Sequence, residues 1–424
     1  MFKNCETICA IEFGTSKIAV LLGQVEPDSG AVEVIGRGEV PSRGAVIKGE
    51  IRDAAAASAA LEKALDEADH ASGGALASCS MVMVLVTGCG IAGQPAIGST
   101  VVKNPEHIVG EAEIRESEDN ARVLNLSGDR EVVNCSTSYH LVDGVRVSNP
   151  DGRHGMHLET HVHIVHGVSL RLETFNRLVQ DCGCSSIPVE AVFSPLAASC
   201  GIVSEPEREN GVLLVDFGMG TTEYLVEFDN GVAASGVLQI GFDHVANDLS
   251  VGLDLHIDVC RKLLAADQVA AARKNGESHL EFPGPSGSTR KIPLASFETI
   301  IDARLRETFE IVRKQLIDAH SPLAFGAGAI LTGGGALYSR SREILNEVFD
   351  LSCQVRRPAD VSGAVTDLGN PRYSAIWGAL KVAAMFSCRS SRANGAFEQL
   401  VNGLNRMFNQ TRSKFSSLKK SIKL

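Results

Sequence analysis

Short apolar runs interrupted by glycine and hydroxyl residues recur along this 424-residue chain. Near the start, an apolar run enters Ile11-Glu-Phe-Gly-Thr-Ser-Lys17, and Ile18-Ala-Val-Leu-Leu22 follows at once. The arrangement returns where Gly211-Val-Leu-Leu-Val215 leads into Asp216-Phe-Gly-Met-Gly-Thr-Thr222 and then Tyr224-Leu-Val-Glu-Phe228. Both stretches predict strand, tight turn, strand. A third stretch, Gly326-Ala-Gly-Ala-Ile-Leu-Thr-Gly-Gly-Gly-Ala336, reads as a strand entering a glycine turn, with helical text from Tyr338 to Val348. The uncharged segment Ala71–Val102 has one dense apolar part, Met81–Val86. That is a buried strand, since a membrane-spanning helix needs about 20 apolar residues. Asn275–Pro293, rich in Gly, Ser and Pro, reads as an exposed loop.

Helical spacing returns at the end of the chain. After a polar linker at 389–396, Phe397, Leu400, Val401, Leu404, Met407, Phe408, Phe415, Leu418 and Ile422 form a stripe. Arg406, Arg412, Lys414, Lys419, Lys420 and Lys423 mostly occupy the other positions. This pattern predicts an amphipathic helix over 397–424 that lies in an anionic membrane surface. Each cation there adds about 1 kcal/mol. A terminal helix docked on the body, or on another chain, is the alternative.

Charge sharpens the division. The formal net charge is −11, which argues against a general nucleic-acid partner. The last 28 residues carry six Lys/Arg and one Glu, leaving −16 for the rest. The composition, 44% hydrophobic and 21% charged, is that of a soluble globular protein with several domains. The eleven scattered cysteines fit reduced thiols, and the first residues lack the apolar core of a signal peptide.

The two turns suggest a chemistry. Successive backbone N–H groups with Thr and Ser hydroxyls form a donor-rich cup for an anion. Gly14, Thr15, Ser16 and Lys17 are the candidates in the first turn; Gly218, Met219, Gly220, Thr221 and Thr222 are those in the second. Glu12 and Asp216, just before the turns, suit a hydrated Mg²⁺ held through water. Gly333, Gly334 and Gly335 leave room for a flat base or ribose. Two such hairpins suggest duplicated halves gripping one polyphosphate; a pair of ordinary β-hairpins is the plain alternative. On His157-Leu-Glu-Thr-His-Val-His-Ile164, His157, Glu159, His161 and His163 share a face. Their spacing of about 6.6 Å favours a solvated strand face over a Zn²⁺ site.

These residues resemble the actin/Hsp70-type ATPases, and within them the FtsA family of bacterial cell division. The specific matches are Tyr139–Glu159, Ser194-Pro-Leu-Ala-Ala198 and Ile240–Leu249, the last adding Gly241 to the nucleotide candidates. The resemblance implies an α/β, actin-like (ribonuclease H-like) two-lobe fold with an inserted small α+β subdomain. The first lobe would take 1–84, 165–202 and 375–388, the insert 85–164, and the second lobe 203–374 with 246–300 as its outer part. It implies ATP and Mg²⁺ as ligands, self-assembly into filaments, and FtsZ's C-terminal peptide docking on 246–300. It also implies attachment through 397–424 to the cytoplasmic side of the membrane at the division site. An FtsA-like scaffold of a pilus or secretion machine, and a small-metabolite kinase, are the alternatives.

The departures matter for turnover. Glu12 and Glu223 stand where the family usually has Asp, Ser194 where it has a Glu, and Phe242 where it has a second Gly. Cys260 falls near the place of an acid that would meet the ribose. Misplacing a carboxylate by about 1 Å can cost about 100-fold in a catalytic step. ATP binding with slow or undetectable hydrolysis is therefore expected.

Overall fold

The computed structural model describes residues 6–26, 29–122, 126, 128–283, 288–321, 323, 325–363 and 368–387. The linker and the amphipathic stretch 397–424 lie outside the described residues.

Both predicted hairpins form. Glu6–Phe13 pairs antiparallel with Lys17–Val25, and Val212–Phe217 with Thr222–Phe228. Each hairpin is extended in the same way. Lys17–Val25 pairs antiparallel with Val32–Pro41, while Glu6–Phe13 pairs parallel with Cys79–Val86, which in turn pairs with Val189–Phe193. Thr222–Phe228 pairs antiparallel with Gly231–Leu238, while Val212–Phe217 pairs parallel with Ala329–Thr332, which in turn pairs with Cys353–Val355. Both sheets thus run third, second, first, fourth, fifth in order of appearance. Ser362–Gly363 adds a short edge to the first sheet. The halves are duplicated in topology.

Period-two alternation seats the second sheet between two cores. Val212, Leu214, Leu225 and Ile330 face the core of the first half. Leu213, Val215, Phe217, Tyr224 and Val226 face the second core, under helices Phe242–Leu253 and Leu294–Asp318. The late helix Ser374–Ser387 returns to the first half, where Trp377 and Leu380 are fully buried, and it packs on helix Ser194–Ile202. Met81–Val86 is a buried strand, and among the described residues no helix is long and apolar enough to cross a membrane.

Along the chain between Cys79–Val86 and Val189–Phe193 comes a separate four-stranded sheet, Ala92–Val101, His157–Val168, Arg130–Val142 and Val145–Val147, with helix Glu111–Arg122 on one face. Its strand His157–Val168 corrects the histidine reading. His157 is exposed and His161 stacks on Tyr139, but His163 is buried against Ser235. A register shift between His161 and Val162 breaks the single solvated face. Among the described residues no group of acids, His or Cys converges as a metal site.

The expected loop at Asn275–Pro293 is largely a hairpin, His279–Pro283 with Thr289–Pro293. The remaining Gly/Pro/Ser residues of the cluster, 284–287, lie outside the described residues. Ile292 is buried, and Leu280 and Phe282 pack on the second core, so burial overrides the composition.

Candidate functional site

The two turns have the same closing bond. Gly14 N–H donates to Lys17 C=O at 2.9 Å, and Gly218 N–H donates to Thr221 C=O at 2.9 Å. The second turn is braced from behind by a helix start: Phe242 N–H donates to Gly218 C=O and Asp243 N–H to Met219 C=O, both at 2.9 Å. Gly241 lets this helix approach, since a Cβ there would stand 2.5 Å from Met219 O.

The turns face each other. They border a cavity of about 450 Å³, together with Gly333, Gly334 and Gly335. Of the thirteen nucleotide candidates, Thr222 and Gly241 do not line this cavity. The Thr222 hydroxyl points inward and donates to Ile240 O at 2.7 Å, and Gly241 serves the bracing just described. Gly333 has φ +85°, a conformation that suits glycine, and a side chain there would overlap Asp216. Around Gly334 the space is open.

Four carboxylates border the cavity: Glu12, Asp216, Glu223 and Asp243, the last paired with Arg261. Burial pushes the Asp216 carboxyl up to about 7; the charge of Glu12 adds to this and Lys17 opposes it. Burial also pushes Glu223 up to about 8, with Asp216 adding and the Gly88 N–H opposing. Lys17 Nζ is the counter-charge. It sits 3.2 Å from Glu12 Oε2, 3.8 Å from Glu39, and 4.3 Å from the centre of the Tyr373 ring. Lys17 Nζ and Glu12 Oε2 are both buried without a hydrogen bond.

This donor set suits a cation-bound polyphosphate. The turns present backbone N–H groups to an anion. Like-charged buried acids are relieved by a hydrated cation. Ser194 also borders the cavity, at the start of helix Ser194–Ile202, and brings a hydroxyl and no charge.

Sequence reasoning misplaced one residue and missed several. Cys260 is buried in the second core; its neighbour Arg261 lines the cavity and holds Asp243 through two bonds of 2.7 and 2.8 Å. One step along helix Ile257–Ala265 turns the side chain by about 100°, so a one-residue error exchanges core for cavity. Thr87, Leu264, Tyr338 and Arg372 also line it. Thr87 does precede a glycine pair, Gly88 and Gly90, after an apolar strand, a signal that could have found it; Leu264 and Arg372 have no such local mark.

Comparison with known proteins decides the family. A model of cell division protein FtsA matches residues 213–378, and a model of the SHS2 domain inserted in FtsA matches 90–166. The chain belongs to the FtsA family. Among similar proteins, cell division protein FtsA of Neisseria meningitidis is 27% identical over 406 residues, 93% of this chain and 95% of that one. The FtsA of Borreliella burgdorferi is 28% identical, covering 88% and 89%. Among solved structures, a PilM-PilN type IV pilus biogenesis complex is similar with TM-score 0.60 at 14% identity, covering 90% of this chain and 99% of that one. MreB5 of Spiroplasma citri bound to ADP is similar with TM-score 0.51 at 12% identity, covering 91% and 99%. These structural likenesses speak to the fold alone, which is the actin-like ATPase fold carrying an SHS2 insert.

Proposed function

We propose that this FtsA-family chain binds ATP with Mg²⁺ between its lobes and works as a membrane-attached scaffold of cell division. One observation carries the nucleotide reading: two turns with the same closing bond border a single cavity from opposite lobes. The N–H groups of both turns hold the phosphates, with Lys17 as the positive side chain. Glu12 and Asp216 hold the cation through water. The cation neutralises phosphate charge. Gly333–Gly335 give space to the nucleoside.

Ser194 leaves water without a carboxylate base, so turnover is slow or absent and the nucleotide acts as a structural switch. The basic, apolar-striped segment 397–424 attaches the chain to the cytoplasmic face of the membrane at the division site. FtsZ's C-terminal peptide docks on the outer part of the second lobe, about 246–300, and the chain assembles with copies of itself. Relatives that are cell division proteins along almost their whole length favour this over a pilus scaffold or a metabolite kinase.

Co-pelleting on anionic vesicles, with and without FtsZ and ATP, tests the reading. The full chain is expected to sediment with vesicles and to carry FtsZ down. A chain cut after Ser391 is expected to stay in solution; unchanged sedimentation of the cut chain discards the anchor.

A further inference from the structure

The entry to the inserted subdomain is tied to both cleft turns. Gly88 N–H donates to Glu223 Oε1 at 2.9 Å, and the Thr87 hydroxyl donates to the same oxygen. Glu223 follows the second turn by two residues, and Thr221 Oγ1 also reaches Oε1 at 3.3 Å. The next amide, Cys89 N–H, donates to Lys48 C=O at 3.0 Å. Lys48 N–H in turn donates to Thr15 Oγ1 of the first turn at 2.9 Å. Residues 87–89 thus hang from the second turn on one side and the first turn on the other.

Beyond this entry the insert bridges both lobes. Phe193 N–H of the first lobe donates to Asn134 Oδ1 at 2.8 Å. On the second lobe, Ser138 Oγ donates to Val232 C=O at 2.7 Å, His163 meets Ser235 at 2.7 Å, and Arg146 pairs with Asp229 at 2.6 Å. A change in the angle between the lobes has to shift the insert against at least one of them.

We propose that Glu223 is a positioning residue that clasps the entry of the insert to the cleft, so that closure of the lobes on a nucleotide seats the insert and opening releases it. The nucleotide half of this statement rests on the function proposed above; the clasp itself rests on the hydrogen bonds. Chain-specific chemistry supports it. Glu223 stands where the FtsA resemblance implies Asp, and the additional methylene gives about 1.5 Å of reach. Shortened by that much, the carboxylate would fall outside hydrogen-bond distance of Gly88 N–H. Asp at this position therefore keeps the carboxyl group and loses the clasp.

Hydrogen exchange of the full chain, read at the amides of 85–93, tests this. Wild type, Glu223→Asp and Glu223→Ala are compared without nucleotide and with ATP and Mg²⁺ at concentrations saturating for each. Losing a bond to this buried carboxyl oxygen opens an amide on the order of tenfold. Gly88 is expected to exchange about tenfold faster in both variants than in wild type without nucleotide. ATP with Mg²⁺ is expected to slow Gly88 further in wild type, but less than twofold in the variants. Acceleration confined to 85–93 separates a clasp from general loosening, which would also reach the strands 6–13 and 212–217. Equal Gly88 rates in wild type and Glu223→Asp overturn the proposal, as does full nucleotide protection in the variants. If wild type takes up no ATP, the nucleotide reading falls, and the comparison without nucleotide still decides the clasp. Glu223→Asp keeps a buried carboxylate, so it carries the test even where Glu223→Ala does not fold.

Discussion

Thr15 and Gly220 meet across the cleft. The Thr15 hydroxyl, held by the Lys48 N–H at 2.9 Å, occupies the space that a side chain on Gly220 would need. The second glycine of the second turn is thus explained by the opposite turn as well as by any ligand. Gly220→Ala is expected to force the turns apart, at a cost of about 1–3 kcal/mol for the overpacked contact. Adding Thr15→Ala relieves part of this, because the two residues share one contact. Thermal unfolding of the two single variants and the double variant checks it; strictly additive losses would separate the two sites.

Ser194 sits buried at a helix start beside the cavity, with no charge to offer water. Ser194→Glu is expected to raise ATP hydrolysis by about 10²-fold or more, the usual contribution of a general base. Phosphate release from purified wild type and variant measures this. Fast release from wild type would mean that another group serves as base.

His163 provides a pH test. It is buried at the contact between insert and second lobe, its Nε2 is 2.7 Å from Ser235, and burial lowers its pKa to about 4, with His166 adding. The unfolded chain therefore binds a proton at higher pH than the folded one. The stabilising effect of the neutral ring is complete above pH about 6.5 and is lost as pH falls toward 4, by at most about 3 kcal/mol. Asp216 and Glu223, raised to about 7 and 8, stabilise the fold as pH falls, so the reading is a difference: the stability of wild type relative to His163→Gln is expected to decline from pH 7 to 5. Since burial lowers His140 to about 4 as well, the variant removes part of the dependence. An unchanged slope would place the pH sensitivity elsewhere.

The hairpins were legible in the sequence because each joins two local signals: alternating apolar runs and a turn that glycine and hydroxyl residues mark. The duplication followed from comparing Ile11–Lys17 with Val215–Thr222. What lay beyond local text was not legible. Arg261 and Cys260 are adjacent, and only the rotation of their helix in three dimensions decides which enters the cavity. Glu223 read as a mere departure from Asp, because its partners Thr87 and Gly88 are far off along the chain and contribute one hydroxyl and one amide. The pairing of 279–283 with 289–293 was hidden because Gly, Pro and Ser dominate the composition of that stretch.

The central claim is that one triphosphate is held between the turns near Gly14 and Gly218, with the glycine turn beside it. Calorimetric titration of the full chain with ATP and Mg²⁺ tests it most directly, with Lys17→Ala in the first lobe and Gly334→Val in the second as comparisons. Gly334 faces open space, so valine there leaves the packed fold intact and fills the ligand's volume. The account predicts one saturable site per chain, weakened at least tenfold by either substitution. Absence of saturable uptake, or affinity unchanged by both substitutions, would contradict it.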